Sequence, residues 1–209
     1  MHLLRHGEVH NPDGVLYGRI PGFGLSELGE RQAVAAAEYL AKRPLGYLVS
    51  SPLERAQQTA VPLAELTGLS ALLDERLIEA ENRLEGRAVA GGRGLFADPS
   101  NWPLFRNPFR PSWGEPYVHI AARMRLAMRA ARDAAVAAGE GLEAACISHQ
   151  LPIVIARRDA QGQHLFHDPR RRQCALGSVT SFTFDGDTVV DVAYTEPAPE
   201  LPAGHGAGA

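Results

Sequence analysis

The chain has 209 residues, of which 45% are hydrophobic, and its formal net charge is −3. This length fits one domain with a sizeable insertion, and the composition is that of a globular protein with a real core. The weak net charge gives no electrostatic footprint for nucleic acid, and no segment approaches the roughly 20 apolar residues of a membrane span, so we expect neither partner.

The N-terminal residues do not show the charged region followed by an apolar stretch that marks a signal peptide. Cys146 and Cys174 are the two cysteines, and neither stands in a metal-type spacing. Cys146 lies in an apolar run, where a cysteine is usually a small core residue. We therefore expect a cytoplasmic protein without a disulfide framework.

The predicted elements alternate between strands and helices along most of the chain. Residues 2–5 form an apolar run that ends at a glycine, the pattern of a strand leading into a loop. The predicted buried strands are 2–5, 47–50 and 144–147, and the predicted helices are 26–43, 51–66, 117–138 and 151–158. Pro62 predicts a kink or an early end of the second helix. Asp185-Gly186-Asp187 lies between two alternating runs, 178–184 and 188–194, and predicts a hairpin.

Two segments differ from this pattern. Residues 82–116 combine Gly, Pro, Arg and aromatic residues without a clear periodicity, which is typical of a lid or a binding segment. Residues 196–209 are Pro, Ala and Gly with little to bury, and we expect a disordered tail. The predicted organisation is therefore a single domain at 1–195 with an insertion at about 82–116.

Polar residues follow each of the three buried strands. Strands alternating with helices predict an α/β sheet with helices on both faces, in which ligands bind at the carboxyl ends of the strands. Two strands end in Arg5-His6-Gly7 and Ser148-His149-Gln150, and the third runs into Ser50-Ser51 and a helix that carries Arg55. We expect these residues to converge at one edge of the sheet.

This set of residue types suits phosphoryl transfer to a histidine. The nucleophile must be a neutral imidazole oriented by a hydrogen bond, and cationic donors must surround the moving phosphoryl group. An acid must also protonate the leaving oxygen. The chain offers His6 beside an arginine, and it offers Glu79 and Glu81 as alternative acids.

The motifs of the chain resemble the histidine phosphatase superfamily, the phosphoglycerate mutase-like group. They occur in the family's order from residue 3 to about 184, and comprise Arg5-His6-Gly7-Glu8, Leu25-Ser26-Glu27-Leu28-Gly29 with Gln32-Ala33, the run from Ser51 to Ala60 (SPLERAQQTA), Leu77-Ile78-Glu79, Glu85-Gly86, Trp113-Gly114-Glu115, Ser148-His149 and Gly177-Ser178-Val179-Thr180. The resemblance implies a three-layer α/β/α sandwich with a mostly parallel central sheet.

The resemblance also implies roles for matched positions. His6 would be the phosphorylated nucleophile, Arg5, Arg55 and His149 would hold the phosphoryl group, and Glu79 would be the proton donor. It implies neither a metal nor another cofactor, since the arginines supply the positive charge. Further candidate substrate-binding residues are Asn11, Arg19, Gln150 and Arg110, and Arg106 is a weaker one.

The chain departs from the family pattern near the expected site. Where the family often has asparagine, this chain has Pro12, with Asn11 one position earlier. The second family histidine is usually followed by glycine, whereas His149 is followed by Gln150. Glu115 is either a helix N-terminal charge favoured by the dipole or a pocket residue. These departures leave the identity of the substrate open.

The leading hypothesis is a phosphatase that acts on a small phosphorylated metabolite. Three competing hypotheses are a mutase that returns the phosphoryl group to another hydroxyl, a phosphate-binding module without catalysis, and a metal hydrolase using His164 and His167. We interpret His164, His167 and Asp168 as loop residues, and Arg170-Arg171-Arg172 as a solvated turn. The sequence leaves the oligomeric state open.

Overall fold

A six-stranded mixed sheet forms the centre of the protein, whose computed structural model describes residues 1–87 and 114–201. The strands are β1 (His2–Arg5), β2 (Leu45–Ser50), β3 (Leu72–Leu73), β4 (Glu143–Ser148), β5 (Val179–Asp185) and β6 (Thr188–Thr195). Their spatial order is β3-β2-β4-β1-β5-β6. The first four in this order are parallel to one another, whereas β5 is antiparallel to β1 and to β6. The predicted mostly parallel sheet is confirmed.

Helices cover both faces of this sheet. The helices are α1 (Glu27–Leu40), α2 (Glu54–Thr67), α3 (Tyr117–Ala138) and α4 (Gln150–Ala160), with short 3-10 helices at Glu75–Leu77 and Pro169–Arg171. Successive residues of a strand point to opposite faces. Leu3 accordingly packs into a core formed with α3 and α4, whereas Leu4 packs into a second core formed with α1 and α2. The two cores produce the three layers of the predicted sandwich.

Local sequence determines where these elements begin and end. The hydroxyl of Ser26 accepts a hydrogen bond from the Gly29 amide at 3.1 Å and caps α1, as predicted. Gly68 adopts a left-handed conformation with φ 71° and ends α2. The prediction of a break at Pro62 is wrong about an early end, because Pro62 lies inside α2. Packing of α2 on α1 and the sheet offsets the one lost backbone donor.

Other boundaries differ from the predictions by a few residues. Helix α1 ends at Leu40 rather than near residue 43, and α2 begins at Glu54 because Leu53 is its N-cap. Strand β3 was not predicted. Of the predicted lid at 82–116, only the ends fall within the described residues, and so does only the start of the predicted tail at 196–209. None of the helices in the described segments is long and apolar enough to cross a membrane.

Candidate active site

The central pair of parallel strands places two histidines side by side. Strands β1 and β4 pair in a register that sets Arg5 opposite Ser148. One step beyond, the His6 amide donates to the Ser148 carbonyl at 3.1 Å. The imidazole rings of His6 and His149 consequently lie with their centroids 5.1 Å apart. The predicted convergence of these strand ends is present in the structure.

The residue after His6 must be glycine because another glycine lies directly against it. A side chain on Gly7 would overlap the backbone of Gly29, and a side chain on Gly29 would overlap the backbone of Glu8. The Gly7 amide donates to the hydroxyl of Thr59 on α2 at 3.1 Å. The loop that follows the nucleophile strand is therefore fixed between α1 and α2.

The tautomer of His6 follows from its backbone contact. Its Nδ1 lies 2.7 Å from the Gly7 carbonyl oxygen, which can only accept, so Nδ1 carries the proton. The lone pair is then on Nε2, which is buried and has no hydrogen-bond partner among the described residues. A neutral imidazole with an unprotonated Nε2 is the form that a nucleophilic histidine requires.

His149 is oriented by the end of the neighbouring strand β2. Its Nε2 lies 2.7 Å from the hydroxyl of Ser51, which also accepts from the Leu53 amide at 3.4 Å. We assign the hydroxyl as donor to Nε2, which leaves the proton of a neutral His149 on Nδ1. Like Nε2 of His6, this Nδ1 is buried without a partner in the described residues. It is a hydrogen-bond donor beside the nucleophile.

Two buried arginines flank the histidines, and each is fixed by one end of its guanidinium. Arg5 donates from Nη1 to the Cys174 carbonyl at 2.6 Å. Arg55, in the first turn of α2, donates from Nη2 to the Gly18 carbonyl at 2.6 Å and lies 4.7 Å from the centre of the Tyr17 ring. No carboxylate forms an ion pair with either guanidinium within the described residues. Both cations are thus available to an anionic ligand.

Glu79 reaches the same place from the segment after β3. The hydroxyl of Ser148 donates to the Leu77 carbonyl at 2.7 Å, and Arg19 donates from Nε to the Glu79 carbonyl at 2.7 Å. The Glu79 carboxyl is buried and accepts from the Ala80 amide at 2.8 Å. The competing acid, Glu81, has a side chain that is 71% exposed. The structure therefore buries Glu79, rather than Glu81, within range of the charges of Arg5 and Arg55.

Burial and neighbouring charges set the protonation states of this cluster. Burial, with the positive charge of Arg55 and Arg5, holds the pKa of His6 well below its usual range. Burial and the same two arginines do the same to the pKa of His149. Burial raises the pKa of Glu79, although the Ala80 amide and the arginines oppose this shift. Both histidines are held neutral, and burial shifts the equilibrium of Glu79 toward its protonated form.

Six polar atoms of these five residues are buried without a hydrogen-bond partner in the described part of the chain. They are Nε and Nη2 of Arg5, Nε2 of His6, Nε of Arg55, Oε2 of Glu79 and Nδ1 of His149. Leaving one buried polar group unpaired costs about 1–3 kcal/mol. Six unpaired polar atoms gathered at the carboxyl edge of the sheet indicate a site that binds an anion of the size of a phosphoryl group.

The remaining candidate residues lie around this cluster. Asn11 bonds to both backbone groups of Val15, which closes the turn that it begins. Arg19 also contacts Glu115, at 3.2 Å, besides holding the Glu79 backbone. Gln150 begins α4, and its side-chain oxygen is 3.4 Å from Nη1 of Arg172. The predicted contacts of Arg106 and Arg110 fall outside the described residues.

Glu115 is part of an ion-pair network beside the cluster. Its carboxylate accepts from Nε and Nη2 of Arg123, at 2.9 and 3.1 Å, and from Arg19. Arg123 also donates to the Arg76 carbonyl at 2.6 Å. This network links α3 to the segment that carries Glu79. The sequence did not indicate it, because Arg19 and Arg76 are far along the chain from Glu115 and Arg123.

Two features outside the cluster bear on the kind of chemistry that the protein can perform. Among residues 1–87 and 114–201, no three or more His, Cys, Asp or Glu side chains lie together as a metal-binding group. His167 instead accepts a hydrogen bond from Nε of Arg172, at 2.9 Å.

A cavity of about 630 Å³ opens beside Arg55, between α2 and residues 20–23, and His6, His149 and Glu79 do not line it. This cavity flanks the cluster without containing it.

Comparison with known proteins agrees with the motifs and the geometry. An uncharacterised protein of Mycobacterium tuberculosis is 54% identical over 198 residues, which cover 95% of this chain and 96% of the relative. The glucosyl-3-phosphoglycerate phosphatase of M. tuberculosis is 39% identical over 132 residues, 59% of this chain and 56% of that protein. A mycobacterial glucosyl-3-phosphoglycerate phosphatase structure solved with VO3 superposes with a TM-score of 0.72 at 30% identity, covering 88% of this chain and 92% of that one. The family model of the histidine phosphatase superfamily, branch 1, matches residues 1–196, and the chain belongs to this superfamily.

Proposed function

We propose that this protein is a phosphatase that hydrolyses a small phosphomonoester through a phosphohistidine formed on His6, without needing a metal ion. The observation that carries the proposal is the set of buried, unpartnered polar atoms on Arg5, His6, Arg55, Glu79 and His149 within the described residues. Among the similar structures, a mycobacterial glucosyl-3-phosphoglycerate phosphatase solved with inorganic phosphate also supports it. We further propose a single domain at 1–195.

In the first step, Nε2 of His6 attacks phosphorus and the ester oxygen leaves. The proton on Nδ1 remains hydrogen-bonded to the Gly7 carbonyl, so the lone pair of Nε2 is free to attack the phosphorus. Arg5, Arg55 and Nδ1–H of His149 donate to the three non-bridging oxygens, where negative charge accumulates. These donors are already fixed before the substrate arrives, which lowers the cost of reorganisation.

The proton of Glu79 completes this step and begins the next. Burial raises the pKa of Glu79 and so favours the protonated carboxyl, from which the proton passes to the leaving oxygen as the alcohol departs. The resulting carboxylate takes a proton from a water molecule, whose oxygen attacks phosphorus. The bond from phosphorus to Nε2 breaks, inorganic phosphate is released, and His6 and Glu79 return to their first states.

The test is phosphate release from p-nitrophenyl phosphate and a panel of sugar and glycerate phosphates, with EDTA present. We expect release by the wild type, loss in His6→Ala, and a wild-type rate in the matched control His164→Ala. Quenched wild-type protein should carry phosphate that is stable in base and lost in acid, as a phosphohistidine is. Turnover by His6→Ala would refute the nucleophile, and loss of activity with EDTA or in His164→Ala would support a metal hydrolase.

The same panel distinguishes a phosphatase from a mutase and from a phosphate-binding module. A mutase would convert 3-phosphoglycerate to 2-phosphoglycerate, and that product would replace the phosphatase proposal. A binding module would bind inorganic phosphate but release none from any ester. Hydrolysis is favoured here because similar proteins, at 39% and 30% identity, are glucosyl-3-phosphoglycerate phosphatases.

A further inference from the structure

The last arginine of the Arg170-Arg171-Arg172 run is not part of a solvated turn. Arg170 and Arg171 are exposed, whereas Arg172 is partly buried beside the candidate active site. Its Nε donates to Nε2 of His167 at 2.9 Å, and its Nη1 donates to the side-chain oxygen of Gln150 at 3.4 Å. Gln150 directly follows His149, so this contact places the guanidinium at the edge of the cluster.

Both partners of Arg172 are uncharged. Nε2 of His167 accepts from Arg172, and its Nδ1 lies 2.8 Å from the Leu165 carbonyl oxygen, so the ring carries one proton and is neutral. Gln150 is a neutral amide. No ion pair of Arg172 with a carboxylate occurs among residues 1–87 and 114–201. Glu79 and Arg5 are near enough for their charges to act on it.

Charges in the cluster do not balance with a phosphoryl group alone. A phosphomonoester dianion carries two negative charges, which Arg5 and Arg55 match. Glu79 is protonated when it acts as the acid, and both histidines are neutral, so they add no charge. Arg172 is then an additional partly buried cation, and desolvating a cation without a counter-charge is costly. One further negative charge on the ligand would restore the balance.

We propose that Arg172, with Gln150, binds a carboxylate of the substrate next to its phosphoryl group, and so selects phosphomonoesters that bear an acid group. A carboxylate supplies the single missing charge, whereas a second phosphate would supply two. Its planar oxygens also match the guanidinium fork, and the Gln150 amide offers a further N–H donor. Arg172 is thus a specificity-determining residue, and this inference rests on the proposed function.

The test compares 3-phosphoglycerate with glycerol 3-phosphate, which carries a hydroxymethyl group in place of the carboxylate. Affinities are measured by calorimetry in a His6→Ala background, which removes the nucleophile and prevents turnover. We expect 3-phosphoglycerate to bind about tenfold to hundredfold more tightly, the range of one charge-assisted contact. Arg172→Gln should reduce this ratio to near one, and Arg172→Lys should restore part of it.

The matched control is Arg171→Gln, the same change at the adjacent exposed arginine, which should keep the preference. Circular dichroism and thermal unfolding establish that each variant is folded, and Arg172→Lys provides a second test if Arg172→Gln does not fold. Equal affinities in the parent protein, no binding of either ligand, or a preference that survives in Arg172→Gln would overturn the inference. Phosphate release from p-nitrophenyl phosphate by the wild type is measured separately, so failure of the phosphatase proposal is recognised independently.

Discussion

Replacing Glu79 by glutamine removes the proposed proton donor while keeping its shape. The side-chain oxygen that accepts from the Ala80 amide at 2.8 Å remains, so the fold should be unchanged. General acid catalysis contributes about 10²–10⁴-fold, and we expect kcat/KM for an alkyl phosphate to fall by that factor, about 3–5 kcal/mol of transition-state stabilisation. For p-nitrophenyl phosphate, whose leaving group departs without a proton, the loss should be tenfold or less.

The parameter kcat/KM is the appropriate measure, because it reports formation of the phosphoenzyme and not its later hydrolysis. The wild-type value for the alkyl phosphate should fall as pH rises through the raised pKa of Glu79, since the acid must be protonated. Glu79→Gln should lack this fall. Glu81→Gln, at an exposed carboxylate two residues away, is the matched control. Equal losses on both substrates, or a comparable loss in Glu81→Gln, would refute the assignment of Glu79.

Three further predictions concern the support of the site. Gly29→Ala should destabilise the protein by about 1–3 kcal/mol in urea unfolding, because the added methyl group overlaps the backbone of Glu8; an unchanged midpoint would contradict the close approach. Ser51→Ala leaves the buried Nε2 of His149 unpaired, so it should lower kcat about tenfold or more and destabilise the protein by about 1–3 kcal/mol; unchanged kcat would show that the bond at 2.7 Å is not needed for catalysis. Folding lowers the pKa of His6 and His149, so the unfolded chain binds more protons below pH 6.5. The free energy of unfolding should therefore be highest above that pH and should fall on acidification, by up to about 1.4 kcal/mol per pH unit for each histidine. Urea unfolding of His6→Asn should show a free energy of unfolding that depends less on pH.

Much of the site was predictable because it depends on strand ends. Parallel strands bring their carboxyl ends to one edge, so the polar residues after β1 and β4 had to meet. The same rule brought Arg55 near them through β2, since its helix begins just after that strand. For the acid, the sequence offered both Glu79 and Glu81, and the structure separates them by burial.

Features that depend on packing between distant segments could not be predicted. Strand β3 has only two exposed residues, too few for any periodicity. Arg172 has two arginine neighbours of the same chemistry, and only the fold shows that it is the one beside Gln150. Ser51 belonged to a recognised motif, but its contact with His149 spans 98 positions. The expected cytoplasmic location stays a prediction.

The position of β1 in the sheet has a consequence for how the protein is made. This strand is synthesised before the other five strands of the sheet, yet it lies between β4 and β5, which begin at residues 143 and 179. Contacts between such distant segments form late, because the entropy of closing a long loop must be met first. A nascent chain therefore cannot pair β1 on both sides until β4 and β5 have been synthesised. Partial translation products should lack the assembled cluster of two histidines, two arginines and Glu79, and should remain dependent on chaperones.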